Sequence, residues 1–530
     1  MSSSNSKNST YTNPLLPGWH SDPSCTFVPE EDNTFFCTTS SFLTVPGIPV
    51  YASKDLVNWK LASHVVTRVS QVPEVANSSS QTQQDGLWAS TIRYRKGKFY
   101  LLTSYVSMYP DFGFKGLLFT TEDIYSDEAW SEPLRFEIGD IDPDIFWDED
   151  GTAYISYAGG PHIYKKDNWY YLCIGEGGTE LGHRQVIARS HSATGPFEGY
   201  IGNPILTNFN TTEYFQTVGH ADLFQDSNGN WWGVALATRS GPAWRVYPMG
   251  RETVLFPVTW KEGEWPILEP VRGRMAGWEL PLPSSQIPGD GPYVDAPDRI
   301  DFAPGTSIPR HFLFWRFPRS DAFTVSPPER PYSLRLLPSR HDITGLGVIG
   351  DTVEQTAITL VARRQSHTYF TYSVDVSFAP AEEGEEVGVT VFLTQYQHID
   401  LGIVLLPVSR ELVPHLRFQT TLLDDLNTPA TQNVTVPESI IKALPISTNI
   451  RVRLQIKAVN DTHYILSAAL PGIDHFDFSQ HAEAVLVSGG TGRFTGVLLG
   501  VYATSNGGSG STPSYISKWR YEGHGQNIGE

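Results

Sequence analysis

The sequence predicts an all-β protein of two domains, a five-bladed β-propeller followed by a β-sandwich. Short apolar stretches alternate with tight turns along most of the 530 residues, and the 46 Gly and 38 Pro residues suit a chain with many turns. A proline-rich stretch without apolar periodicity, residues 280–309, reads as an extended linker. We therefore place the propeller in residues 1–279 and the β-sandwich, of the concanavalin-like type, in residues 310–530.

Hairpins in the first half carry the strongest local signal. Asp-Gly and Asn-Gly pairs between alternating apolar residues are typical of two-residue β-turns. Two such turns, Asp150-Gly151 and Asn228-Gly229, and two related ones, Lys96-Gly97 and Asp167-Asn168, predict four hairpins.

Each predicted blade opens with a small or acidic group before its first strand. In a propeller the first strand of every blade lines the axis, so these openings should meet at one central pocket. A β-sandwich with ordinary hairpins is the alternative. The five openings contain Asp22, Ser90, Asp142, His162 and His220.

The third unit is too short for a complete blade. Only 20 residues separate Asp142 from His162, whereas a four-stranded blade needs about 40. The spacing therefore predicts a truncated third blade that lacks its two outer strands.

The second half also alternates with period two, as a sandwich requires. Strands are predicted at 368–378, 387–396, 399–406, 493–502 and 514–521, with a hairpin across 452–466. The acidic run Glu382–Glu386 is predicted to be a solvated loop.

Charge and cysteine content exclude several functional classes. With 38 Lys plus Arg against 57 Asp plus Glu, the net charge of -19 does not suit nucleic-acid or anionic-membrane binding. Three cysteines form at most one disulfide and no Cys-rich metal site. The N-terminus has no apolar segment typical of a secretory signal, so we expect a cytoplasmic protein, or a secreted one if a leader is missing. We expect a monomer.

Several motifs occur in an order that resembles glycoside hydrolase family 43. They are His20-Ser21-Asp22-Pro23, Gly86-Leu87-Trp88-Ala89-Ser90, Ile141-Asp142-Pro143-Asp144, Gly160-Pro161-His162 and Gly250-Arg251-Glu252-Thr253. The second half resembles the β-sandwich that is fused to the β-xylosidase and α-L-arabinofuranosidase branch of that family.

The resemblance implies an inverting glycosidase with a catalytic base, a general acid and a third carboxylate. Inversion requires one carboxylate to activate water and a second carboxyl group, about 6.5–9.5 Å away, to protonate the leaving oxygen. Asp22 matches the base, and Asp142 matches the third carboxylate, which raises the pKa of the acid. An Asp-Pro turn and a hairpin-entry aspartate are the structural alternatives for these residues.

The general acid of the family is missing. The resemblance places a Glu directly before Gly-Pro-His, and here that residue is Gly159. The departure coincides with the short third unit, so one missing segment explains both, with a true pseudoenzyme as the alternative. Glu176 and Glu180 are candidates for a replacement acid; otherwise they are loop carboxylates.

The remaining pocket residues follow from the same resemblance. Arg251 matches the arginine beside the substrate, and His220 matches an axial histidine that holds a central water or, in some members, a metal ion. Trp88 and Phe42 are candidates for the wall on which sugars stack, although a propeller core also uses aromatics. No cofactor is required, while calcium near His220 is compatible with the resemblance.

These residues together predict a hydrolase of O-glycosyl bonds in plant polysaccharide that contains arabinose or xylose. An α-L-arabinofuranosidase acting on arabinoxylan is the first expectation and a β-xylosidase the second. A catalytically inactive carbohydrate-binding homologue, or a shortened chain that does not fold stably, is the alternative. Retaining five-bladed fructan hydrolases carry an Asn-Asp-Pro-Asn nucleophile context, which His20-Ser21-Asp22-Pro23 does not match.

Overall fold

A computed structural model describes residues 9–77, 83–108, 112–345, 357–423, 434–444, 450–469, 477–489 and 494–530. In these residues nearly all regular structure is β-strand, with one short helix, α1 (Pro73–Asn77), and two 3₁₀ turns at Pro29–Glu31 and Ala484–Val487. None of the helices in the described part of the chain has the length and apolar character needed to cross a membrane.

The first half folds into sheets arranged as propeller blades. Its strands, in chain order, are β1 (Ser9–Thr12), β2 (Ser24–Val28), β3 (Thr34–Thr38), β4 (Thr44–Val45), β5 (Gly47–Ser53), β6 (Lys60–Val66), β7 (Gly86–Arg95), β8 (Lys98–Ser107), β9 (Gly113–Thr121), β10 (Leu134–Phe136), β11 (Asp144–Trp147), β12 (Ala153–Ser156), β13 (His162–Lys166), β14 (Trp169–Glu176), β15 (Arg184–Ser190), β16 (Glu198–Gly199), β17 (Phe215–Gln225), β18 (Trp231–Arg239), β19 (Arg251–Thr259), β20 (Ile267–Leu268) and β21 (Arg274–Gly277).

Four of the blades have four strands, and the third has two. The sheets are β2-β3-β5-β6, β7-β8-β9-β10, β11-β12, β13-β14-β15-β16 and β17-β18-β19-β20. The predicted propeller is therefore confirmed, and its two-stranded third blade lies within the continuously described stretch 112–345. The inner strands form a ring in which β2 contacts both β7 and β17, and β11 contacts β7 and β13.

The predicted hairpin turns contain residues with the positive φ that two-residue β-turns require. Lys96, Asp167 and Asn168 adopt positive φ, as do the turn glycines Gly151 and Gly229. Such left-handed turns match the twist of the two strands that they connect.

The second half is a sandwich of two antiparallel sheets. Its strands are β22 (Asp298–Ile300), β23 (Leu313–Trp315), β24 (Phe323–Val325), β25 (Leu334–Leu336), β26 (Thr359–Arg364), β27 (Tyr369–Phe378), β28 (Glu386–Thr394), β29 (Gln397–Val408), β30 (Glu411–Leu422), β31 (Ile440–Ala443), β32 (Ile450–Ala458), β33 (His463–Ala469), β34 (Phe478–Glu483), β35 (Leu498–Thr504) and β36 (Ser514–Gly525). One sheet runs β24-β25-β36-β27-β32-β33-β34 with β22 on β36, and the other runs β31-β30-β29-β28-β35-β26-β23-β4.

The two domains share a β-sheet and an apolar interface. Strand β4 of the propeller half pairs with β23 and so extends a sheet of the sandwich. Beside it, an apolar cluster joins Trp19 and Phe42 of the propeller to Trp315, Phe392 and Leu498 of the sandwich. The sandwich therefore packs directly against the loop that precedes β2.

The stretch 280–309 lies against the first blade. Lys60 Nζ donates to the carbonyl oxygens of Ile287 and Gly289, at 3.1 and 2.6 Å, and Val294 N donates to Trp59 O at 3.0 Å. Residues Asp298–Ile300 already belong to the sandwich as β22.

The acidic run at 382–386 was predicted wrongly as a solvated loop throughout. Glu385 is buried and accepts hydrogen bonds from the backbone N–H groups of Ala381 and Thr512. Glu386 begins β28 and accepts a hydrogen bond from Tyr502 Oη at 2.9 Å. Bound carboxylates of this kind satisfy buried donors, which charge patterning alone does not reveal.

Cys25 and Cys37 form a disulfide between directly opposite positions of β2 and β3. Cys173 is free and buried. The single bridge agrees with the cysteine count.

Candidate active site

The first carboxylate of the pocket, Asp22, lies on the loop before β2. Ser40 Oγ donates a hydrogen bond to Asp22 Oδ2 at 2.6 Å and accepts one from the N–H of Ala89 at 2.8 Å. Asp22 Oδ1 lies 3.8 Å from Nδ1 of His220. Ser40 of the same blade thus fixes one oxygen, and the other oxygen lies toward His220.

The second carboxylate, Asp142, reaches the same imidazole from the third blade. Its Oδ2 lies 4.0 Å from His220 Nδ1, and the backbone N–H of Gly160 donates a hydrogen bond to it. Burial, together with the nearby charge of Asp22, raises the pKa of Asp142 to about 8. Asp142 is therefore a neutral carboxylic acid near pH 7.

His220 lies within β17, at a register irregularity of the β17–β18 pair. Gly160 covers its ring so closely that a Cβ there would be 2.8 Å from Nε2. Burial lowers the pKa of His220, so the imidazole is neutral. Asp22, Asp142 and His220 all have φ between 53° and 60°, a backbone conformation that concentrates at functional sites.

Arg251 and three aromatic rings form one side of the pocket. The Arg251 guanidinium lies 4.3 Å from the ring centroid of Phe494 and donates to Thr179 O at 3.3 Å. Trp88 lies 5.6 Å from Phe42 and 5.4 Å from Phe494 between ring centroids. Trp88 is half-buried, whereas Phe42 is fully buried.

Phe494 is a site residue that the sequence did not reveal. It belongs to the sandwich, more than 200 positions after the last propeller strand, and is held in the apolar cluster between the domains. No local motif marks it. The pocket wall therefore depends on the docking of the second domain.

Gly159, directly before Gly160-Pro161-His162, leaves no space for a side chain. Its φ is +72°, and a Cβ there would be 2.9 Å from the carbonyl oxygen of Gly175. The N–H of Gly175 donates to Gly159 O at 2.8 Å. The backbone of Gly159 therefore lies in direct contact with β14.

The two candidate replacement acids have different environments. Glu176 is exposed at the end of β14, with Oε2 3.9 Å from Nε of Arg184. Glu180 is half-buried, and its charge acts on Arg251. The structure places neither carboxyl group against His220, and of the two only Glu180 faces the Arg251 side of the pocket.

A second cluster on the axis, also missed from the sequence, fixes the inner strands. Arg93 of β7 binds Asp144 of β11 and Asp222 of β17, each at 2.9 Å. His162 of β13 lies 3.0 Å from Asp144, and Ser24 of β2 donates to Asp222 at 2.6 Å. All five blades, the two-stranded third one included, contribute one side chain to this cluster, and its member from the third blade, Asp144, lies two residues after Asp142.

No three His, Cys, Asp or Glu side chains of the described residues are arranged to hold a metal ion. The two carboxylates near His220 lie 3.8 and 4.0 Å from the same nitrogen. The described residues around His220 therefore do not form a ligand set for the calcium ion that the resemblance allows there.

The raised pKa of Asp142 is expected to make the free energy of unfolding fall as pH rises. Its pKa is higher in the folded chain than in an unfolded one, so only the folded state keeps this proton between roughly pH 4 and pH 8, and the free energy of unfolding falls across that window. Asp142→Asn should therefore raise Tm little at about pH 5 and by about 2–4 °C at about pH 8.

Thermal unfolding at both pH values measures this difference. Asp150→Asn, on the exposed turn of the same hairpin, is the matched control and should shift Tm equally at each pH. A gain for Asp142→Asn that does not grow with pH would contradict the raised pKa.

Comparison with known protein families gives matches in both halves. Glycosyl hydrolases family 43 matches residues 11–159 and 155–266, and the Beta xylosidase C-terminal Concanavalin A-like domain matches residues 299–522. The first family matches in two segments that meet directly after β12. That is where the third blade is short.

Whole-chain relatives give the same result. The non-reducing end α-L-arabinofuranosidase BoGH43B of Bacteroides ovatus is 31% identical over 95% of this chain and 93% of its own length. The xylosidase/arabinosidase of Butyrivibrio fibrisolvens is 28% identical over 93% of this chain and 96% of its own.

Solved structures agree on the architecture. The Bacteroides ovatus xyloglucan PUL GH43B structure is 29% identical, with a TM-score of 0.78 and coverage of 97% of this chain and 99% of that one. At 24% identity and a TM-score of 0.80, the xylan β-1,4-xylosidase of Bacillus halodurans supports the fold over 96% of this chain and 99% of its own. With both domains matched and the carboxylate pocket at the centre of the ring, this chain belongs to glycosyl hydrolases family 43 and is a glycosidase.

Proposed function

We propose that the protein is an inverting glycosidase that removes α-L-arabinofuranosyl groups from the non-reducing ends of arabinoxylan-type chains, with terminal β-xylosyl groups as second substrates. The names of the two curated relatives support this choice of sugars. The residue pattern at the pocket supports the inverting mechanism.

One observation carries the proposal: Asp22 and Asp142 converge on one neutral imidazole from two different blades. Asp22, held by Ser40, is placed to take a proton from a water that attacks the anomeric carbon. Asp142, as a neutral acid, can donate a hydrogen bond to a sugar hydroxyl. Trp88 and Phe494 give the sugar ring an apolar surface, and Arg251 supplies donors beside it.

The leaving oxygen receives no proton from position 159. We infer that this chain cleaves bonds to good leaving groups and is slow on unactivated glycosides. A binding protein that keeps the pocket without turnover is the second candidate, and Gly159 together with the two-stranded third blade favours it.

The test is hydrolysis of 4-nitrophenyl α-L-arabinofuranoside and 4-nitrophenyl β-D-xyloside, with proton NMR of the first-formed sugar. We expect faster release from the arabinofuranoside and β-L-arabinofuranose as the first product. First formation of the α-anomer would contradict inversion. Binding of arabinose without turnover of either substrate would favour the binding protein.

Restoring the family residue by Gly159→Glu is not expected to restore activity on polysaccharide. The left-handed backbone and the contact with Gly175 O should instead destabilise the fold by about 2 kcal/mol. Urea unfolding and arabinoxylan hydrolysis measure the two effects.

Gly178→Glu is the matched control for this variant. Its φ of +73° is nearly the same, but no atom lies within 4 Å of the added Cβ. It should therefore lose less stability than Gly159→Glu. A gain in arabinoxylan hydrolysis by Gly159→Glu would show that the loop opens to accept the acid.

We also propose that the protein works in an oxidising compartment, the secreted alternative left open by the sequence. The Cys25–Cys37 bridge supports this, because disulfides persist mainly outside the cytosol. Thiol titration of the unfolded chain should find one free thiol, that of Cys173, whereas three would contradict the bridge.

A further inference from the structure

A small cavity lies where the first blade, the 280–309 stretch and the sandwich meet. Its volume is about 40 Å³, enough for a few waters or one small ion. We call it the junction cavity; its polar lining consists of His20, Tyr51, His64, Asp298, His311, Arg363, Arg364 and Ser366.

The charges of the residues that line the junction cavity do not balance. Arg363 Nη1 pairs with Asp298 Oδ1 at 2.9 Å. Asp298 also accepts hydrogen bonds from His311 Nε2 and Trp519 Nε1, each at 3.0 Å. One negative charge is therefore matched by Arg363, and Arg364 is left over.

Arg364 is a buried cation without a described counterion. Its Nε donates to Trp19 O at 2.9 Å, while its Nη2 is buried without a hydrogen-bond partner among the described residues. No Asp or Glu in that part of the chain pairs with it. A buried unpaired charge is costly, so such groups are normally compensated.

Neutral donors surround this charge. Burial lowers the pKa of His64 to about 3 and that of His20 below its usual range, so both rings carry one N–H at neutral pH. His20 Nε2 contacts Tyr51 Oη at 2.7 Å. Both nitrogens of His64, and Nδ1 of His311, have no hydrogen-bond partner among the described residues.

We propose that the junction cavity binds one small monovalent anion of the chloride class. A halide is held by a cation and several N–H donors and needs no acceptor from the protein. A phosphate would bring more charge than Arg364 offsets. The ion neutralises Arg364 and gives the N–H of His64 an acceptor.

The bound ion also connects the domain interface to the catalytic loop. Arg364 holds the carbonyl of Trp19, and His20 precedes Asp22 by two residues. His20 N in turn donates to Arg251 O at 2.9 Å. An anion in the cavity therefore stabilises the sandwich against the loop that carries Asp22.

Thermal unfolding of the full chain in sodium chloride and in sodium gluconate, at matched ionic strength, tests this proposal. Gluconate is too large for the cavity. We expect a saturable rise in Tm of about 2 °C or more in chloride. Arg364→Met should abolish the difference between the two salts, and Arg299→Met, at an exposed position of β22, should keep it.

Crystals soaked in bromide give a second readout that does not depend on a variant. An anomalous peak beside Arg364 Nη2 is the expected result. Equal Tm values in the two salts, or a bromide-soaked crystal with no peak in the cavity, would overturn the proposal. A chloride effect that survives Arg364→Met would place the ion elsewhere and overturn it as well.

Discussion

Replacing Asp22 by Asn is expected to lower kcat/KM for 4-nitrophenyl α-L-arabinofuranoside by about 10³-fold, within the range usual for loss of a general base. The amide keeps the size of the carboxylate and can still contact Ser40, but it cannot accept a proton from water. Because 4-nitrophenolate leaves without protonation, proton abstraction is the only acid–base step that this substrate needs. Initial rates of nitrophenolate release measure the loss.

Asp140→Asn is the control for this variant. Asp140 lies two residues before Asp142, and its Oδ1 is occupied by the N–H of Ile141 at 2.8 Å. It should hydrolyse the substrate at nearly the parent rate. Affinity for L-arabinose should stay close to that of the parent in Asp22→Asn, since the aromatic wall is intact. If Asp22→Asn retained most of the activity, Asp22 would not be the base.

The second large effect is a dependence on the leaving group. We compare the ratio of kcat/KM for 4-nitrophenyl α-L-arabinofuranoside to kcat/KM for methyl α-L-arabinofuranoside. This ratio should be about 10²–10⁴-fold larger for this chain than for an enzyme with an intact general acid. The two substrates share the sugar and differ in the basicity of the oxygen that leaves. Methanol cannot leave without a proton, and position 159 offers none.

Comparable rates on the two glycosides would mean that another carboxyl group donates the proton. Glu180→Gln and Glu176→Gln would then identify the donor. Glu180 is half-buried on the side of Arg251, whereas Glu176 is exposed and lies near Arg184. Loss of methyl glycoside cleavage in Glu180→Gln alone would assign the proton to Glu180.

Much of the architecture was predictable because its signals are local. The turn pairs at Lys96-Gly97 and Asp167-Asn168 determined hairpins that the structure confirms. Counting 20 residues between Asp142 and His162 was enough to predict a two-stranded third blade. Ring closure then brings Asp22, Asp142 and His220 together, since the inner strands of a propeller and the loops before them surround its axis.

The features that escaped prediction depend on contacts between distant parts of the chain. Phe494 reaches the pocket only because the sandwich docks on it. Arg93 pairs with the carboxylates of Asp144 and Asp222, which belong to two other blades. A single sequence does not show that these three side chains meet. Glu385 lies in an acidic run that the sequence predicts to be solvated, but its side chain accepts a hydrogen bond from the backbone N–H of Thr512. The left-handed conformation of Gly159 likewise follows from the short loop pressed onto β14, and not from its own motif.

A pocket with a base and no acid at position 159 is best tested by the slope of log kcat/KM against the pKa of the leaving phenol, for a series of aryl α-L-arabinofuranosides. We predict a steep fall as the phenol becomes more basic, because the departing oxygen carries its full negative charge. A flat line that extends to the most basic phenols would show protonation of the leaving group. It would contradict the assignment of Gly159 as the position of a missing acid.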